Sequence, residues 1–163
     1  MTVGPAGTGK TTINNALTEA LSATGQPHKI VRMNPKALTN GEMYGVMNTV
    51  SGEWSPGVFS TLWSKYNDKK NKHHTWLTCD GPIDAIWIEN LNTVLDDNKI
   101  LTLANGDRIA MSPTTKMVFE VENLDNASPA TVSRNGIVYV SAVDLDWEPL
   151  INTWLRDRQE EKQ

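Results

Sequence analysis

The segment Gly4-Pro5-Ala6-Gly7-Thr8-Gly9-Lys10-Thr11 constrains this chain more than any other, because it satisfies G-x-x-x-x-G-K-[ST] in full and runs straight into a helical pattern. Glycines in such a loop let backbone N–H groups turn inward around a phosphate chain, and the positive end of the following helix adds to the attraction. Lys10 is expected to reach the β- and γ-phosphates. The Thr11 hydroxyl is expected to complete a Mg²⁺ shell. Thr12 ends the nucleotide-binding stretch that begins at Gly4. The ligand implied is ATP or ADP with Mg²⁺. A guanine reading has no support, since Asn98-Lys99-Ile100-Leu101 lacks the Asp of Asn-Lys-x-Asp. A small-molecule kinase stays a distant alternative, with no Arg-rich lid in the sequence.

The order of elements agrees with that loop. Ile13, Ala16, Leu17, Ala20 and Leu21 recur at helical spacing, and Gly25 with Pro27 stops the pattern. Lys29 to Met33 reads as a strand ended by Asn34-Pro35. Met43 to Met47 and Phe59 to Tyr66 read as helical, the second after a Ser55-Pro56 cap, and Trp54 and Trp63 read as packed residues. Thr75 to Cys79 is a strand. Pro82 opens a helix through Leu95, with Ile83, Ile86, Trp87, Asn90 and Leu91 on one face. Lys99 to Leu103 and Arg108 to Met111 flank an Asn105-Gly106 hairpin turn. Lys116 to Val121 and Ile137 to Val140 are further strands, and Trp147 to Arg158 is a closing helix. Alternating strands and helices predict a parallel sheet covered on both faces.

Composition narrows the function. A net charge of −4 over 163 residues argues against a nucleic-acid surface, which needs clustered Lys and Arg. Lys65, Lys69, Lys70, Lys72, His73 and His74 read as a solvated basic loop, and the two histidines have no third ligand at metal spacing. No apolar run approaches the roughly 18 residues that span a bilayer, and a Gly-rich loop stands where a signal peptide would carry its apolar region. Cys79 is the one cysteine, so there is no internal disulfide or Cys-based zinc cluster, which fits a reducing compartment. A cytoplasmic chain with no membrane partner is expected.

In hydrolysing ATPases with this loop, an apolar strand ends in Asp followed by Glu: the Asp orients the metal shell and the Glu polarises the attacking water. Here Trp76-Leu77-Thr78-Cys79 ends in Asp80-Gly81. Gly81 has no proton acceptor. Asp84 and Glu89 follow one to two helical turns later, about 4 to 12 Å along the axis, a displacement that normally abolishes general-base work.

Three stretches then name a family. Asp80-Gly81-Pro82-Ile83-Asp84-Ala85-Ile86-Trp87-Ile88-Glu89-Asn90-Leu91-Asn92, the run from Val94-Leu95-Asp96-Asp97-Asn98-Lys99 through Leu101-Thr102-Leu103-Ala104-Asn105-Gly106-Asp107-Arg108-Ile109, and Asn126-Ala127-Ser128-Pro129-Ala130-Thr131-Val132-Ser133-Arg134 closely resemble dynein heavy chains. More specifically they resemble the second AAA+ module of the motor ring, with an axonemal character, and the likeness covers nearly the whole chain. It implies an α/β fold: an AAA+ P-loop NTPase core whose parallel sheet carries helices on both faces, with a β-hairpin insert. It places the metal-side acid, beside Thr11, on Asp80 and a γ-phosphate sensor on Asn123, which on its own reads as a turn-capping residue. Arg134 after Ser133 matches an arginine finger that acts in the preceding module's site, although alone it reads as a surface salt-bridge residue. The hairpin near Asn105 is expected to face the mechanical linker. Neighbouring AAA+ modules are the implied partners, with microtubules reached through the whole motor, and the cytoskeleton of a ciliary or flagellar axoneme is the implied location. Residues 1–163 read as one large subdomain lacking most of its first core strand and the helical lid, with Asp157 to Gln163 a charged tail. The expected function is a structural or regulatory nucleotide site without efficient hydrolysis. The rivals are a slow ATPase using Asp84 or Glu89, and a ring-interface scaffold that binds no nucleotide.

Overall fold

Strands too short to stand alone are held here by a shared register. The computed structural model describes residues 1–144 and 146–160. β1 (Thr2–Val3) leads through the Gly-rich loop into α1 (Lys10–Ala23), and β2 (His28–Met33) follows. Next come α2 (Asn40–Tyr44), β3 (Gly45–Met47), β4 (Trp54–Pro56), α3 (Val58–Asn67) and β5 (His74–Asp80). The chain continues through α4 (Ala85–Ile88), a 3₁₀ turn (Glu89–Leu91), α5 (Asn92–Leu95), the hairpin β6 (Ile100–Thr102) and β7 (Arg108–Ala110), and β8 (Thr115–Val121). It closes with α6 (Pro129–Ser133), β9 (Val138–Tyr139) and α7 (Glu148–Glu160).

Five strands form one sheet in the order β2-β5-β8-β1-β9, each neighbouring pair parallel. In this register Asp80 and Thr2 both lie opposite Glu120, from the two flanking strands. Side chains alternate between sheet faces, so Leu77, Cys79, Phe119 and Val121 share one face. That face holds the core. Trp63 and Phe59 of α3 and Trp87, Ile88 and Leu91 are buried with it, and the Trp87 and Phe119 rings stack with centroids 6.1 Å apart. Tyr44 Oη donates to the Trp87 carbonyl at 2.7 Å, and Trp63 Nε1 donates to the Ile109 carbonyl at 3.0 Å, tying the hairpin to α3.

Thr2, Arg32, Thr78 and Glu120 lie on the opposite face, which α1 covers with polar side chains. Asn14 and Thr18 are the buried residues of that helix, while Ile13 and Leu17, two of the residues that mark its apolar spacing, are exposed. A buried carboxylate on the sheet explains this inversion, because it needs donors rather than methyl groups facing it.

Four expectations change in detail. The helix around Met43 ends at Tyr44, and Gly45 to Met47 is a strand paired with β4. Gly45 makes the break with φ 114, and an added Cβ would lie 2.2 Å from the Trp54 ring. Ser55-Pro56 does not cap α3: Pro56 lies in β4, and the Gly57 N–H is satisfied by Ser60 Oγ. Pro82 does not open the next helix, because the Asp84 carboxylate caps Ile86 N and delays the start to Ala85. That segment is three short pieces, and Ile86, placed on its apolar face, is 71% exposed. The Asn105-Gly106 hairpin forms as read. The tail is helical backbone as far as Glu160, and residues 161–163 lie outside those described.

Candidate functional site

The C-terminal ends of the parallel strands meet the Gly-rich loop at one edge of the sheet. Gly7 and Gly9 take φ of 80° and 89°, a region that favours glycine, and nothing lies within 4 Å of an added Cβ at either. Backbone is thus open to a ligand along the loop. The Thr8 hydroxyl donates to the Pro5 carbonyl at 2.9 Å and braces the turn. Lys10 Nζ folds over the loop and donates to the carbonyls of Gly4 and Pro5 at 2.6 and 2.8 Å.

A cleft of about 250 Å³ gathers Ala6, Lys10, Asp80, Gly81, Pro82, Glu120, Val121 and Glu122. Lys10 and Asp80, expected to share a phosphate and metal site, do share this cleft. A second cleft of about 480 Å³ shares Ala6 and continues past Gly7 and Thr8 to Ala142, Asp146, Pro149, Leu150 and Thr153. Its walls are largely apolar. Together they offer an end that carries the Lys10 ammonium beside the Asp80, Glu120 and Glu122 carboxylates, suited to a phosphate chain with a cation, and an apolar end.

The first cleft is also lined by a residue that no sequence motif marks. Glu120 has a side chain fully shielded from solvent. Its Oε2 accepts from the Thr11 hydroxyl at 2.6 Å, and its Oε1 accepts from Asn14 Nδ2 at 2.9 Å and Arg32 Nη2 at 3.2 Å. Asn14 Nδ2 also reaches Thr2 Oγ1 at 3.2 Å, and Arg32 Nη2 reaches Asn15 Oδ1 at 2.8 Å. Burial pushes the Glu120 carboxyl up, but the bonds from Thr11, Asn14 and Arg32 outweigh it and hold the group below the usual carboxylate range. A buried carboxylate is thereby kept ionised beside the loop. The one signal available beforehand was a lone acid inside the apolar run Met117-Val118-Phe119-Glu120-Val121.

Asp80 is exposed at the end of β5 and lines the cleft, but it is Glu120 that receives the Thr11 hydroxyl. Thr12 is exposed on the first turn of α1. Asn123 lies two residues beyond β8, exposed, with Oδ1 accepting the Asp125 N–H at 3.3 Å, a turn-capping arrangement. Arg134 Nε donates to Asp96 Oδ1 in an ion pair at the end of α5. Asp84 is committed twice, to the Ile86 N–H and to Lys36 Nζ at 2.7 Å. The Lys36 hydrogen bond and then the Ile86 N–H lower its pKa, the wrong direction for a general base. Glu89 is exposed, and neither acid lines the cleft that holds Lys10.

The donors fit Mg²⁺ with a phosphate chain. Among the described residues no three His, Cys, Asp or Glu side chains are placed to hold a metal by themselves. Mg²⁺ is commonly bound by one or two carboxylates together with substrate phosphates, so a hydroxyl and carboxylates beside a phosphate loop suit it. When bound, the ion would neutralise phosphate charge; Thr11 and Asp80 would hold it and Lys10 would meet the phosphates. Gly81 leaves the position after Asp80 without an acid, and an added Cβ there would lie 2.7 Å from Asn34 Oδ1.

No helix among the described residues is long and apolar enough to cross a membrane. Over 162 residues the chain is 54% identical to the dynein axonemal heavy chain 8 of Mus musculus, covering 99% of this chain and 3% of that protein. It is 56% identical over 158 residues to the dynein axonemal heavy chain 5 of the same organism, covering 97% and 3%. To the dynein gamma chain of the flagellar outer arm of Chlamydomonas reinhardtii it is 58% identical over 158 residues, covering 97% and 4%. The chain therefore spans only a few per cent of the length of these curated relatives. Residues 1–135 match the family described as AAA domain, dynein-related subfamily, a match that takes in the phosphate loop, the strand ending in Asp80, the hairpin and Arg134. With the β2-β5-β8-β1-β9 sheet and the loop at its C-terminal edge, that match places the chain in the dynein-related AAA domain family.

Proposed function

We propose that this chain is the large subdomain of an AAA+ module, the second of its ring, in an axonemal dynein heavy chain, and that it binds ATP or ADP with Mg²⁺ without turning it over efficiently. One observation carries the reading: Lys10 and Asp80 line one cleft beside Thr11, while the position after Asp80 is a glycine packed against Asn34. Groups suited to a phosphate chain and Mg²⁺ are gathered in one cleft, and the position after Asp80 carries no water-activating acid. Asp84 and Glu89 are poorly suited to replace it, since one is ion-paired and both lie outside the cleft.

On this reading nucleotide is a structural or regulatory ligand. Ala142, Pro149 and Leu150 supply an apolar wall for the base. Asn123 senses the γ-phosphate, and Arg134 leaves Asp96 to act in the preceding module's site. Neighbouring modules are the partners, the hairpin near Asn105 faces the linker, and microtubules are reached through the whole motor of a ciliary or flagellar axoneme. The names of the relatives support that setting.

Calorimetric titration with ATP, with and without Mg²⁺, tests the reading. Saturable one-site binding that tightens with Mg²⁺ is expected. Lys10→Ala removes a charge-assisted phosphate contact and should weaken it by about one to two orders of magnitude. Unchanged affinity in that variant would mean that the loop is not used.

A further inference from the structure

We propose that Glu120 is the positioning residue for the metal-side hydroxyl of Thr11, a role that falls in most readings of such a loop to the strand-end acid Asp80. The inference deepens the nucleotide reading and rests on it. Its basis is the donor count. A threonine hydroxyl has one proton and two lone pairs. Thr11 spends its proton on Glu120 Oε2 at 2.6 Å, so both lone pairs are left for a cation. The carboxylate cannot swing away, because Oε1 is held by Asn14 and Arg32 and the side chain is fully shielded. Thr2, Asn14 and Arg32 come from β1, α1 and β2, so three elements brace one acid on β8.

The network predicts what an uncharged isostere does. In Glu120→Gln the single amide oxygen faces the side with two donors, Asn14 and Arg32, and the amide NH₂ then faces Thr11. The hydroxyl must now accept rather than donate. One lone pair is consumed and the proton turns toward the cleft, where it opposes a cation. Partners of metal ligands are commonly worth about 10- to 100-fold in metal affinity. Phosphate contacts from Lys10 and the loop backbone do not pass through Glu120.

The test measures ATP affinity in Mg²⁺ and in EDTA for the wild-type chain, Glu120→Gln, Thr11→Ala and the double variant, with circular dichroism as a check on folding. Glu120→Gln should lose about tenfold or more of the tightening that Mg²⁺ gives, read as the ratio of the affinities in Mg²⁺ and in EDTA. In the Thr11→Ala background it should add almost nothing, since the two act as one unit. Glu120→Asp, which keeps the charge beside Arg32 but withdraws it from Thr11 by one methylene, is read in parallel and should show the same selective loss. An unaltered Mg²⁺ response in Glu120→Gln or Glu120→Asp overturns the proposal, as does a full effect of Glu120→Gln in the Thr11→Ala chain. Equal weakening with and without Mg²⁺ also overturns it, and assigns Glu120 to the fold alone. A wild-type chain that binds no nucleotide under either condition refutes the nucleotide reading itself, and this proposal with it.

Discussion

Gly81 gives the sharpest energetic test, because its replacement meets two separate obstacles. Its φ is 155°, where L side chains are rare, and an added Cβ would sit 2.7 Å from Asn34 Oδ1. That oxygen is not a free end: it accepts the Lys36 N–H at 2.9 Å and caps the 3₁₀ turn beginning at Pro35. Holding a non-glycine residue in a sparsely populated backbone region costs about 1–3 kcal/mol. Breaking a side-chain cap costs about 0.5–2 kcal/mol. Gly81→Ala should therefore destabilise the chain by about 1.5–5 kcal/mol, and at about 3 °C per kcal/mol for this size the Tm should fall by about 5–15 °C. Urea unfolding followed by the fluorescence of buried Trp63 and Trp87 reads this directly. Asn34→Gly should cost less in the Gly81→Ala background than alone, by about 1 kcal/mol of coupling. A Gly81→Ala chain within about 0.5 kcal/mol of wild type would refute the clash and the backbone argument together. The same geometry means that Gly81→Glu does not simply install a catalytic base, because the new side chain must first displace Asn34.

Two further outcomes follow. In an assembled ring, Arg134→Ala should cut turnover at the preceding site by about 10³- to 10⁵-fold and leave nucleotide binding at this module's own loop unchanged. In the isolated chain it should cost only the roughly 0.2–1 kcal/mol of an exposed ion pair with Asp96, and near-normal ring turnover would make the salt bridge its whole role. Cys79 is buried and its thiol is pushed up to about 12, while an unfolded thiol ionises near 8.5. Above that pH the unfolded chain releases a proton the folded chain keeps, so stability should fall with rising pH, by at most about 1.4 kcal/mol per unit. Cys79→Ala should flatten that slope between about 8.5 and 10, and an unchanged slope would place the cause elsewhere.

The phosphate loop was legible because its chemistry demands fixed residue types at adjacent positions, and the hairpin because Asn105-Gly106 encodes a turn locally. Glu120 was not. Its partners Thr11, Asn14 and Arg32 lie 88 to 109 residues away and meet only when β1, β2 and β8 share a sheet and α1 covers it. The apolar spacing of Ile13 and Leu17 gave the helix correctly but not the face it buries, since burial there is decided by Glu120 and Thr2 across the gap. The break at Gly45 depends on the Trp54 ring filling the space of a missing Cβ, a contact invisible to local periodicity. Asn123 and Arg134 have roles proposed toward a nucleotide and a neighbouring module, and in the chain by itself one caps a turn and the other pairs with Asp96.

If the site holds ATP without turning it over efficiently, as proposed, the bound nucleotide stays ATP. The most direct measurement incubates the chain with ATP and Mg²⁺, removes free nucleotide, denatures the protein and separates the released nucleotides by chromatography. Intact ATP at about one per chain is expected, with phosphate released well below one per chain above the protein-free control. Repeated conversion to ADP and phosphate by the wild-type chain, abolished in Lys10→Ala, would contradict it.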